Sequence, residues 1–127
     1  MAVVPSIGVL TVDDQPLFRT AAAAVVDATP GFETVGEAAS GEEALRLSSE
    51  LHPDLVLLDV RMPGMDGLET AQRLAATEPG AVIVLISIDD IGDIVPRARH
   101  AGAAASVRKQ ALCPQMLEEL WAAHGRG

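Results

Sequence analysis

An α/β fold built on five parallel strands is the class this sequence predicts, and three observations carry it. Continuous apolar runs at 7–12, 55–58 and 81–86 are bounded by Pro and Gly turn signals, as strands buried on both faces are. Between them lie segments whose apolar residues recur at helical spacing. The runs also end on polar groups: Asp13 and Asp14 after the first, Asp59 after 55–58, Ser87 after 81–86. Strands alternating with helices of this length pair in parallel, because each crossover passes over a sheet face.

The elements follow in order. After the first strand, Pro16 is placed as a first helical residue, and Leu17, Ala21, Ala24, Val25 and Ala28 form the expected buried stripe of a helix that Pro30-Gly31 stops. Residues 32–38 read as a second, more polar strand near a sheet edge. Ser40 caps the next helix, with Glu43 at the third helical position in a capping-box arrangement, and Ala44, Leu47, Ser48 and Leu51 as its inner face. Leu55 to Asp59 is the third strand. The Pro63-Gly64 turn follows, then a helix capped by Asp66 that runs to about Thr77. The fourth strand ends on Ser87. The fifth is expected at 104–107 and the last helix at about 113–124, with Leu112, Met116, Leu117, Leu120 and Trp121 on one side.

The segment between the last two strands carries a conflict. Gly92 and Pro96 both fall where a fourth helix belongs. An interior proline costs a helix about 3 kcal/mol and glycine about 1. The cheapest solution starts the helix near Pro96 and ends it at about Ala101, leaving 88–95 as an irregular loop.

Composition narrows the function. The 127 residues fit one domain with a core of Val, Ile, Leu and Ala, since 49% are hydrophobic and only 2% aromatic. A net charge of −9 argues against nonspecific binding of nucleic acid or anionic membrane by this segment. Its single cysteine, Cys113, excludes an internal disulfide and a cysteine-based zinc site, which makes a reducing, cytoplasmic setting the default. Neither a secretory signal nor a membrane span is expected. His52, His100 and His124 lack metal-ligand spacing and read as helix-end or surface residues.

If the first and third strands are neighbours, Asp13, Asp14 and Asp59 crowd into one site, where they must protonate or bind a cation. Oxygen donors of this kind suit Mg²⁺. Lys109, the only lysine, follows the fifth strand and is the candidate counter-charge.

Val-Asp-Asp at 12–14, Pro-Leu-Phe-Arg at 16–19, Gly-Glu-Ala at 36–38, Leu-Leu-Asp at 57–59, Met-Pro-Gly-Met-Asp-Gly at 62–67, Ser87, Ala-Gly-Ala at 101–103 and Lys109 occur together in this order. The sequence thereby resembles the receiver domain of bacterial two-component response regulators, over Val9 to about Ala123. The resemblance implies a doubly wound, flavodoxin-like sheet in order 2-1-3-4-5, with the acidic cluster at the switch point between strands one and three. It implies Asp59 as phosphoacceptor, with Asp14, Asp59 and the backbone carbonyl of Arg61 as Mg²⁺ ligands and Asp13 acting through water. Ser87 and Lys109 would bind phosphoryl oxygens. The implied partner is a sensor histidine kinase, and a homodimer is allowed.

Pro-Leu-Phe-Arg and Gly-Glu-Ala resemble the branch that carries a C-terminal helix-turn-helix domain. Residues 1–127 are expected to form a single receiver domain without that output domain, so that DNA would be reached only through a part absent from this chain. Several positions depart from the family pattern. Ser106 stands where an aromatic residue is usual, Ile88 where a small one is common, and Gln110 follows the lysine. With Ser106 and the interrupted fourth helix uncoupling it, an atypical receiver that acts as a phosphorylation-insensitive interaction module is the alternative. An aspartate-nucleophile phosphatase would want a carboxylate at Arg61, and a flavin-binding relative would want a phosphate loop at Asp13-Asp14.

Overall fold

The computed structural model describes residues 6–88 and 95–125. Its elements are β1 (Ile7–Val12), α1 (Pro16–Asp27), β2 (Phe32–Ala38), α2 (Gly41–Leu51), β3 (Leu55–Asp59), α3 (Gly67–Thr77), β4 (Val82–Ser87), α4 (Val95–His100), β5 (Ala105–Arg108) and α5 (Pro114–His124), with a 3-10 turn at Lys109–Ala111. The sheet runs β2-β1-β3-β4-β5 and every pair is parallel, as the resemblance implied.

Alternation along the central strands divides the core in two. Leu10, Val12, Val56, Leu58, Ile83 and Leu85 pack with Ala44, Ala71, Leu74 and Ala98, so α2, α3 and α4 cover one face. Val9, Leu55, Leu57, Val84 and Ile86 pack with Val26, Leu117 and Leu120, which puts α1 and α5 on the other. β3 and β4 are buried along their whole length, whereas β2, at the edge, is mostly half-buried.

Local chemistry fixes the helix ends. Ser40 Oγ accepts the Glu43 amide at 3.1 Å, but Glu43 Oε1 accepts from the Ala39 amide at 2.7 Å, one residue before the partner a capping box would use. Asp66 Oδ1 accepts the Glu69 amide at 2.9 Å. α4 is six residues long, within one residue of the expected bounds. The loop expected before it falls, at 89–94, outside the described residues. α4 closes with Gly102 at φ +90°, the Gly102 amide donating to Arg99 O and the Ala103 amide to Ala98 O at 3.0 Å. This is the Schellman pattern.

Two expected stripes are corrected. The inner face of α1 is Phe18, Ala22, Val25 and Val26, while Leu17 is 86% exposed and Ala21, Ala24 and Ala28 also face solvent. In a run of four consecutive alanines either face can be read as the stripe, and the larger Phe18 and Val26 decide the rotation by the area they bury. Leu51 is exposed too, because α2 ends there and the chain turns at His52 with φ +47°. β5 starts one residue later than expected, and Cys113 caps α5 instead of opening it.

Candidate functional site

Register builds the site. Val12 pairs with Leu58 and Asp59 with Ile86, so Asp13, just after β1, comes level with Asp59, the last residue of β3, and Ser87, the last of β4, stands one residue further along the same carboxyl edge. β1 lies between β2 and β3 there, at the switch point where crossovers leave in opposite directions and open a crevice.

Asp13 is fully buried. Its amide donates to Ala38 O at 3.0 Å, its Oδ1 accepts the Gln15 amide at 2.8 Å, and its carbonyl accepts from Arg19 Nη1 at 2.7 Å. Arg19 Nε also lies 3.3 Å from Glu37 Oε1, which ties α1 to β2 behind the acidic loop. Asp14 is exposed. Asp59 is 7% exposed, and its Oδ1 accepts the Arg61 amide at 3.2 Å. Its backbone is clamped by α3: the Gly67 amide donates to Val60 O at 2.9 Å, and a Cβ on Gly67 would collide with the Asp59 carbonyl.

Lys109 enters from the turn after β5. Its Nζ is 2.6 Å from Asp13 Oδ2, 3.8 Å from Asp59 Oδ2, and 4.4 Å from the centroid of the Phe18 ring. Ser87 is buried at the end of β4. Asp14, Gln15, Asp59, Arg61, Ser87, Ile88 and Lys109 line a cleft of about 160 Å³. A larger groove of about 510 Å³ lies beside it, yet its one carboxylate, Asp66, already serves as the cap of α3.

Electrostatics set the cleft apart. Burial, followed by the negative charge of Asp13, pushes the Asp59 carboxyl up to about 6, against the opposing pull of Lys109 and the Arg61 amide. The Asp14 charge raises it further. Carboxylate oxygens of Asp13, Asp14 and Asp59 lie within 4.8 Å of one another. One ammonium faces three carboxylates, and an all-oxygen donor set of this charge fits a hard divalent cation.

Every residue singled out in the sequence, namely Asp13, Asp14, Asp59, Arg61, Ser87 and Lys109, is therefore in one place. Two neighbours were not singled out. Phe18 and Arg19 belong to a quoted motif, but their contacts to Lys109 and to the Asp13 carbonyl depend on how α1 is rotated.

The model for the response regulator receiver domain matches residues 9–120. The response regulator GacA of Pseudomonas aeruginosa is 37% identical over 114 residues, covering 90% of this chain and 53% of GacA. The nitrate/nitrite response regulator protein NarL of Escherichia coli is 36% identical over 112 residues, covering 88% of this chain and 52% of NarL. This chain thus spans about half the length of the curated relatives it matches. Among solved structures, the signal receiver domain of NarL from Mycobacterium tuberculosis superposes with a TM-score of 0.86 at 32% identity, covering 94% of this chain and 99% of that one. The response regulator domain of Thermotoga maritima CheB gives 0.82 at 26% identity, covering 93% and 96%. Sheet order, the acidic crevice and a match over nearly the whole length agree, and the chain belongs to the response regulator receiver domain family.

Proposed function

We propose that this domain is a phosphorylation-dependent switch that takes a phosphoryl group on Asp59 from the phosphohistidine of a sensor histidine kinase. The observation that carries this reading is the convergence of three carboxylates and a single ammonium in a narrow cleft at the switch point. Asp14, Asp59 and the Arg61 carbonyl would hold Mg²⁺, with Asp13 acting through water. Bound there, the ion would neutralise charge on the phosphoryl oxygens.

Each side chain has its own task. Asp59, shifted to about 6, is mostly ionised at neutral pH and so remains a competent nucleophile. A carboxylate oxygen forms the new bond to phosphorus as the bond to the imidazole nitrogen of the donor breaks, and that nitrogen keeps the electron pair. Lys109 meets one phosphoryl oxygen as a compact point charge, and the Ser87 hydroxyl donates to another. Water entering the cleft later attacks phosphorus and releases phosphate, which restores Asp59.

In this reading residues 1–127 form a single receiver domain working in the cytoplasm. Control of transcription would pass through a DNA-binding part outside this chain, since the domain itself carries −9. No helix among the described residues is long and apolar enough to cross a membrane. One observation favours a second reading, a phosphorylation-insensitive interaction module. Ser106 Oγ is buried without a hydrogen-bond partner, and no aromatic side chain stands there to relay a change in the cleft.

Incubation with acetyl phosphate and Mg²⁺, followed by intact mass, tests the chemistry. Wild type should gain one phosphoryl group and Asp59→Asn none; an unlabelled wild type, or a labelled Asn variant, overturns the assignment of Asp59. Labelling without any change in oligomer size or partner binding would favour the second reading.

A further inference from the structure

We infer that Phe18 is a positioning residue for Lys109, holding the ammonium inside the cleft through the face of its ring. The inference rests on the phosphoacceptor reading for its consequence but on geometry for its substance. Lys109 Nζ lies 2.6 Å from Asp13 Oδ2, 3.8 Å from Asp59 Oδ2 and 4.4 Å from the Phe18 centroid, three groups of the described residues. Two of these are carboxylates whose charge is shared with whatever cation enters the cluster. The third is neutral.

The difference matters when the cleft is in use. A cation drawn to the carboxylates weakens their hold on Lys109, and a four-carbon stem set free gains rotamer entropy by swinging into water. The quadrupole of an aromatic ring attracts an ammonium, more strongly when water is excluded. The Lys109 side chain is 11% exposed and Phe18 is half-buried against the cluster that holds Val26, Leu117 and Leu120, so the contact is mostly dry and the ring is backed by the core. Phe18 therefore keeps the charge inward while its ionic partners are occupied.

The test uses the intact domain with 3,5-difluoro- and 3,4,5-trifluorophenylalanine placed at position 18. These nearly preserve shape while draining the negative face of the ring. Lys109 side-chain methylene protons should be shifted upfield by the ring in wild type, and released in Phe18→Leu. Acetyl phosphate labelling should fall about 3- to 10-fold in Phe18→Leu and stepwise with fluorine number, as loss of one cation–π contact requires. Unshifted Lys109 methylene resonances in wild type, or a labelling rate and Lys109 shift both flat across the fluorine series, overturn the inference. If Asp59 accepts no phosphoryl group in wild type while the Lys109 resonances still follow the fluorine series, the phosphoacceptor reading falls and the role of Phe18 stands.

Discussion

Lys109 rests on Asp13 and only reaches toward Asp59: the ammonium is 2.6 Å from Asp13 Oδ2 and 3.8 Å from Asp59 Oδ2. Asp13 is thus the structural counter-ion of the only lysine, held in place by the Gln15 amide, the Ala38 carbonyl and Arg19. Removing one member of a buried ion pair costs about 3–5 kcal/mol when the other is stranded. Here Asp59 is close enough to take over the lysine, so Asp13→Asn should cost less, about 1–3 kcal/mol in urea unfolding without divalent ions. The same change should lower the Asp59 pKa, because it deletes the second-largest cause of its rise and frees Lys109 to approach. An unchanged Asp59 titration in the variant would mean that the two carboxylates do not couple.

Asp59 also links stability to pH. Its folded-state pKa, about 6, is above its ordinary value of 3.8, so between these values the folded state binds the extra proton. Stability in the absence of metal should therefore fall as pH rises from about 4 to about 7, by on the order of 2–3 kcal/mol from this group. Asp59→Asn should flatten that slope and be more stable than wild type at pH 7.5, with the advantage vanishing below pH 4. Mg²⁺ should reverse the destabilisation in wild type only, and its affinity should weaken as pH drops through 6, because ion and proton compete for one carboxylate. Urea melts at several pH values, with and without Mg²⁺ or EDTA, give all of these signs.

Changing Lys109 to Arg keeps the charge and alters its shape. The ammonium sits within 4.4 Å of both Phe18 and a fully buried carboxylate, in a cleft of about 160 Å³ that does not suit a planar fork. Lys109→Arg should lower acetyl phosphate labelling of Asp59 by at least tenfold while changing stability by less than about 1.5 kcal/mol. Wild-type labelling in this variant would remove the point-charge role.

Most of the fold was legible in the chain because the strongest signals are local. The buried runs that became β3 and β4, the Ser40 and Asp66 caps, and the place of Pro96 in the first turn of α4 each act within a few residues. That Asp13, Asp14 and Asp59 stand at the ends of buried strands was legible for the same reason, whereas the adjacency of β1 and β3 that brings them together was implied by the family resemblance. What remained hidden is long-range or degenerate. The face of α1 is ambiguous in an alanine run, and its rotation alone decides whether Leu17 or Phe18 meets the core and whether Phe18 meets Lys109. That Lys109 prefers Asp13 to Asp59 depends on burial and distance between residues far apart in the chain, which no spacing encodes.

The short α4 offers the last test, since six residues are too few for a helix to stand by propensity. Its N-terminal proline, Pro96, lies in the first turn, where an amide donor has no intrahelical acceptor to lose, and its side chain is exposed. Its C-terminus carries the fixing contacts. Gly102 takes φ +90°, its amide and that of Ala103 bind Arg99 and Ala98, and an added Cβ would stand 2.7 Å from the Ala75 side chain in α3. Two penalties coincide there, a left-handed backbone and a steric collision. Gly102→Ala should therefore destabilise the domain by about 2–3 kcal/mol and speed amide exchange at Ala101 and Ala103. Pro96→Ala should cost less than about 1 kcal/mol, chiefly by enlarging the entropy of the unfolded chain. The ordering is the decisive outcome: a Pro96→Ala loss larger than that of Gly102→Ala would show that α4 is anchored at its start, and that the glycine turn merely ends it.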